Sequence, residues 1–219
     1  MDKDVAKRLL NEAGFKQAKF HVIKKEDKYE NKINGIIKDL KFPIFVKPAR
    51  QGSSVGISKV WKRNDLLNAI QEAFKFDSKI ILEQAIVGRE IECAVLGNAQ
   101  PVASDLGEIC LTNGFYSYDA KYINENTACA IVNVKMSSIM KKRIRETAIN
   151  IYKTLECEGM SRVDFFLTEK NEIYINEINT LPGFTDVSMY PKLMEISGIN
   201  YPILLESLID FAIEKRNKN

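Results

Sequence analysis

At 219 residues, with 32 Lys plus Arg against 29 Asp plus Glu and a net charge of +3, the chain suffices for one large or two small domains with a real core, and its charge gives no argument for a nucleic-acid partner. Cys93, Cys110, Cys129 and Cys157 lie far apart with no C-x-x-C, which argues against a zinc ribbon or a redox pair, and the single His21 nearly excludes Ser-His-Asp hydrolysis and multi-histidine metal sites. The charged opening MDKDVAKRLL and the lack of any run of ~18 apolar residues predict a cytoplasmic protein with no membrane contact.

Asp2 is placed to cap a first helix, DVAKRLLNEA, with Val5, Leu9 and Leu10 on one side and Gly14 ending it. A short strand, AKFHVI, carries His21 as a surface or strand residue, and a charged helical stretch follows to Leu40. FPIFVKP reads as a buried strand that enters the loop KPARQGSSVGISKVW, Lys47 to Trp61. Gly52 and Gly56 bracket Ser53 and Ser54, and ISKVW resumes as a strand, so the segment is expected to be a hairpin with a flexible tip. It lacks G-x-x-x-x-G-K-[ST] and opens no helix, which sets aside the Walker and Rossmann mechanisms. Exposed backbone N–H groups at such a tip, with Lys47 at the strand end, suit phosphate, although an ordinary turn has the same composition.

Asn64 is expected to cap a helix, NDLLNAIQEAFKF, with Leu67, Ile70 and Phe74 inward. KIILEQ is a buried strand, and Glu83, Gln84, Ala85 and Ile86 look like a connector from a smaller lobe to a larger one. In GREIECAVLGN, Glu90 and Glu92 alternate with apolar residues, and QPVASDLGEI follows. From Leu111 to Val132 periodicity is lost, as in a lid or a surface excursion, with Phe115, Tyr116, Tyr118 and Tyr122 to pack it and Lys121 as its cation. A long helix, SSIMKKRIRETAINIYKTLECEG, closes at Gly159.

SRVDFFL and EIYINEIN alternate apolar with polar residues around TEKN, which predicts a β-hairpin. With Lys170 and Asn171 at the tip, facing residues sum to 341, so Arg162 meets Asn179 and Asp164 meets Glu177 on one face. Two facing carboxylates repel by roughly 3 kcal/mol at about 5 Å, so a positive group is expected between them. Asp, Glu and Asn are hard oxygen donors suited to Mg²⁺, and Arg162 suits a phosphoryl group or an oxyanion; a solvated face neutralised by Arg162 and lysines is the plainer reading. Helices are expected around 191–196 and 201–215.

MDK at Met1 to Lys3, VKPARQGSSVGISKV, ILEQAIVGREIECAVLG, YDAKY, SRVDFF and NEINTLPGFT, taken in this order, resemble the D-alanine-D-alanine ligases, an ATP-grasp family, over essentially the whole chain. The resemblance implies an α+β fold of two ATP-grasp lobes, 1–83 and 84–219, with the nucleotide between them. It implies that Lys3 and Lys47 hold ATP phosphates under the Ser53–Ser54 loop, that Glu83, Gln84 and Ile86 meet the adenine edge, and that Glu90 holds the ribose. Phe115 and Phe166 join the nucleotide-binding residues, and Lys121 reaches the γ-phosphate. Asp164, Glu177 and Asn179 would bind two Mg²⁺, with Mn²⁺ as a substitute. Ser53, Lys121 and Tyr122 join Arg162, Gly183 and Ser188 as the catalytic group: Arg162 and the Gly183 N–H for the tetrahedral intermediate, Ser188 for the carboxylate of the second substrate.

The implied reaction joins two D-alanines through an acyl phosphate for peptidoglycan precursors. A non-catalytic nucleotide-binding remnant, or a ligase using D-serine, D-lactate or another acceptor, are the alternatives. The family carries a further N-terminal domain before the position matching Met1, which implies a truncation, a fragment or a partner chain; a homodimer is also left open. Gln84 stands where many members have lysine.

Overall fold

The computed structural model describes residues 2–111, 128–185 and 187–218. Among these, two compact units are found: 2–8 and 17–87 with 111 and 128 form the first, and 9–16, 88–110, 129–185 and 187–218 the second. Phe115, Lys121 and Tyr122, like the rest of the proposed lid between 112 and 127, lie outside the described residues.

The first unit is built on an antiparallel sheet of order β1-β4-β2-β3, from β1 (Phe20–Lys24), β2 (Ile44–Pro48), β3 (Ser58–Val60) and β4 (Lys79–Gln84). Alternation places Ile23, Ile44, Val46, Val60, Ile80 and Leu82 on one face. There they form a core with Ile33, Ile36 and Leu40 of α2 (Ile33–Leu40) and with Leu66, Ile70 and Ala73 of α3 (Arg63–Ala73). The other face carries Phe20, Phe45, Lys47, Ile81 and Glu83, and it is the face with chemistry.

Two helices differ from expectation in what they bury. In α3, Leu66 is fully buried and Leu67 is 44% exposed, while Lys62 rather than Asn64 occupies the cap position. Ile70 and Phe74 are buried as expected, but the buried stripe runs through Leu66 in place of Leu67. In α1 (Lys3–Glu12), Asp2 does cap, accepting from the N–H of Asp4 at 3.0 Å and of Val5 at 3.3 Å. Its apolar stripe, however, is not the buried side. Val5 is 42% and Leu9 51% exposed, whereas Lys3, Asp4 and Lys7 are buried with Leu10. Charged groups go inside here because each meets an opposite charge or a carbonyl, the condition under which burial of an ion is tolerated.

The second unit carries a sheet of order β7-β6-β5-β8-β9, from β5 (Arg89–Leu96), β6 (Val102–Leu111), β7 (Ala128–Val132), β8 (Met160–Leu167) and β9 (Ile173–Asn179). Residues 128–132, expected to be irregular, thus form a strand. Ile91, Cys93, Val163, Phe165, Leu167, Ile173, Ile175 and Ile178 pack against Ile144, Ala148, Ile151 and Tyr152 of α4 (Ser138–Thr154). Ser137 caps α4 by accepting from the Met140 N–H, and the helix ends at Thr154, short of Gly159. The chain closes with α5 (Met189–Ile196) and α6 (Tyr201–Lys218). Cys93, Cys110 and Cys157 are free thiols, and burial pushes Cys93 up to about 12.

The β8–β9 hairpin pairs Arg162 with Asn179 and Asp164 with Glu177, as the alternation implies. Past Asp164 the register shifts by a β-bulge, so Phe165 meets Ile175 and Leu167 meets Ile173, which corrects the single register expected from the tip. The turn is closed by Thr168 and Glu172 around Asn171 at φ 59°. The isoleucines explain the shift: 173 and 175 are odd and 178 is even, and a bulge at Asn176 lets all three face the core.

Candidate functional site

Each unit gathers polar groups on the sheet face away from its main core. In the first unit, Glu83 sits on the central strand β4 with Phe20 of β1 and Phe45 of β2 as its cross-strand partners. Its Oε1 lies 2.7 Å from Lys7 Nζ and its Oε2 lies 2.6 Å from Lys47 Nζ. The Phe20 and Phe45 rings lie 5.3 and 5.4 Å from the Lys7 and Lys47 ammonium groups. Burial would raise the Glu83 pKa, but the two lysines outweigh it and hold the carboxyl at about 2.

Lys3 donates through Nζ to the Gln51 carbonyl at 2.5 Å, and its backbone N–H donates to Ala49 O at 2.8 Å, tying α1 to the loop after β2. In that loop Ser53 and Ser54 have φ of 50° and 59°, and the Val55 N–H donates to Gly52 O at 3.0 Å. Two successive left-handed residues closed in this way form a type I′ turn. Gly56 has φ of 69°, and a Cβ there would stand 2.6 Å from the Phe76 ring, so only glycine fits where the loop returns to β3. Gln84 ends β4, with Ala85 and Ile86 half-buried after it.

In the second unit, Glu90 and Glu92 of β5 pair directly with Phe166 and Asp164 of β8, so these four, with Arg162, Glu177 and Asn179, share one face. Arg162 grips Asp164 with two hydrogen bonds of 2.7 Å, and Asn179 Nδ2 donates to Asp164 Oδ2 at 3.0 Å. Arg162 Nε is also 3.2 Å from Glu92 Oε2. On this face, then, Arg162 is the cation that contacts Asp164 and Glu92. Burial works against the Arg162 charge, but Asp164 and Glu92 outweigh it and raise its pKa above the ordinary value.

Gly183 and Ser188 meet in the loop after β9: a Cβ on Gly183 would stand 2.7 Å from Ser188 Oγ. That hydroxyl accepts from the Thr185 N–H at 3.1 Å and lies 2.9 Å from Thr185 Oγ1. A side chain at 183 would displace it.

Two residues of these clusters had no role in the sequence reading. Glu92 shares a face with Glu90 by simple i, i+2 alternation, and Lys7 follows Lys3 by one helical turn. Both spacings were visible as pattern, but nothing in them showed which acid or cation they would meet.

The chain matches the model of the family described as D-ala D-ala ligase C-terminus over residues 9–210. It is 52% identical over its full length to a D-alanine--D-alanine ligase of Oceanobacillus iheyensis, of which it spans 60%. Among solved structures, the VanG D-Ala:D-Ser ligase of Enterococcus faecalis matches with a TM-score of 0.86 and 39% identity, covering 96% of this chain and 61% of that one. A D-alanine--D-alanine ligase of Bacillus anthracis complexed with ATP matches with a TM-score of 0.81 and 27% identity, covering 99% and 68%. With α+β units built as described and a family match across nearly its whole length, the chain belongs to the D-ala D-ala ligase C-terminus family and has the ATP-grasp fold of these ligases.

Proposed function

We propose that this chain is the ATP- and Mg²⁺-using portion of a cytoplasmic ligase that joins two D-alanines for peptidoglycan precursors. The observation that carries the reading is the one face of β8 and β9 on which Arg162, Asp164, Glu177 and Asn179 lie at facing positions. On this reading Lys3 and Lys47 hold phosphates under the Ser53–Ser54 turn, Glu83, Gln84 and Ile86 take the adenine edge, and Glu90 and Phe166 border the ribose and base. Lys121, Tyr122 and Phe115 would add contacts from outside the described residues.

Asp164, Glu177 and Asn179 fit a hard divalent cation, since all three carry side-chain oxygen at facing positions of adjacent strands. Bound there, Mg²⁺ would neutralise phosphate charge. The γ-phosphoryl group passes to the carboxylate oxygen of the first D-alanine; the amine of the second then attacks the acyl phosphate, phosphate leaves and the amine loses a proton. No protein nucleophile is needed, so cations and positioning carry the chemistry. Arg162 and the Gly183 N–H would receive the oxyanion, and Ser188 the acceptor's carboxylate.

D-Serine as the acceptor is a second reading, raised by the D-Ala:D-Ser ligase among the similar solved structures. The test is phosphate release and mass detection of dipeptide with D-alanine, D-serine or D-lactate as acceptor. It is run on the chain and on the chain fused to the part of the Oceanobacillus relative that it does not span. D-Alanyl-D-alanine formed by the fusion in preference to the other products supports the proposal; D-alanyl-D-serine as main product selects the second reading. Nucleotide binding with no product from either protein would leave only a nucleotide-binding remnant.

A further inference from the structure

Lys7 is a buried cation to which the proposed reaction gives no task. It lies on α1 with 4% exposure, and Lys47 and Glu83 lie beside it in the first unit. The carboxylate divides its oxygens: Oε1 takes Lys7 at 2.7 Å and Oε2 takes Lys47 at 2.6 Å. A carboxylate with a single lysine partner can turn about its last torsion and offer either oxygen. With one lysine on each oxygen, and the Phe20 and Phe45 rings beside the two ammonium groups, that freedom is removed.

We propose that Lys7 is a positioning residue of the nucleotide site: by holding Glu83 Oε1 it fixes the carboxylate that aims Lys47. This rests on the nucleotide reading of Lys47 and Glu83. Lys7 acts through Glu83 rather than by touching the ligand, which separates it from the phosphate-holding lysines.

The test measures Mg²⁺-ATP affinity by calorimetry for the unaltered chain, Lys7→Met, Lys7→Gln, Lys7→Arg, Lys47→Met and the Lys7→Met/Lys47→Met pair. Lys7→Gln keeps a hydrogen-bond donor for the buried carboxylate and stands in if Lys7→Met fails to fold. A ¹³C titration of the Glu83 carboxyl without ligand accompanies it, with the midpoint expected to rise when Lys7 is neutralised. Neutral variants should bind about tenfold more weakly, the scale of one charge-assisted hydrogen bond, and Lys7→Arg should recover most of the loss. The pair should bind no more weakly than Lys47→Met alone. Unchanged affinity in Lys7→Met or Lys7→Gln overturns the inference and makes the ion pair purely structural, as does a loss that simply adds to that of Lys47→Met. Absence of binding by the unaltered chain defeats the nucleotide reading and the inference with it, whereas intact binding by the neutral variants defeats the inference alone.

Discussion

Glu83 shows most plainly how single residues set the behaviour of this site. Its carboxyl is held at about 2 against an ordinary 4.5, because Lys47 and Lys7 outweigh the effect of burial. In the unfolded chain it takes up a proton as pH falls through about 4.5, and in the folded chain only near 2. Its contribution to stability is therefore fully present above 4.5 and is lost as pH falls toward 2, on the order of 3 kcal/mol in all. Glu83→Gln should remove this part of the acid dependence. At neutral pH the same change leaves two buried lysines without their shared anion, which should lower stability by roughly 3–5 kcal/mol. Urea midpoints of both proteins at pH 7 and near pH 3 measure this: the gap should narrow sharply in acid. An equal gap at the two pH values would mean that Glu83 is not held ionised by its lysines.

At the scale of elements, the alternating strands were legible, β7 was not, and helix faces were legible only in part. Period-two alternation places Asp164 opposite Glu177 with no knowledge of the third dimension, because a strand has only two faces. The bulge at Asn176 was also written in the parity of Ile173, Ile175 and Ile178, but a register counted from the turn alone passes over it. Helix faces are harder to centre: one residue is about 100° of rotation, so the expected stripe of Leu67, Ile70 and Phe74 keeps Ile70 and Phe74, which are buried, and takes Leu67 in place of Leu66. Leu66→Ala should cost about 2–5 kcal/mol in thermal or urea unfolding, and Leu67→Ala below about 1 kcal/mol. Similar losses would put the core contact of α3 on the wrong side. For α1 the failure was of another kind: hydropathy assigns lysines to solvent, and only the fold reveals that Glu83 waits for Lys7.

Over the whole molecule, the order of motifs was readable because each is a short stretch whose residue types are demanded by its chemistry: lysines before a Gly-Ser loop, acids on a strand, a Pro-Gly loop before a serine. What joined them into clusters was not, since Glu92 with Arg162 and Lys7 with Glu83 are meetings of segments far apart in sequence. The central claim is that the acidic face of β8 and β9 receives Mg²⁺ with ATP. Calorimetric titration of ATP into the full chain, with and without Mg²⁺, and into Glu177→Gln measures it most directly. Binding should require Mg²⁺, and Glu177→Gln should bind at least about tenfold more weakly with an unchanged or higher metal-free Tm, because it relieves repulsion with Asp164. No binding at millimolar ATP, equal binding without Mg²⁺, or a sharp fall in the metal-free Tm of Glu177→Gln would contradict it.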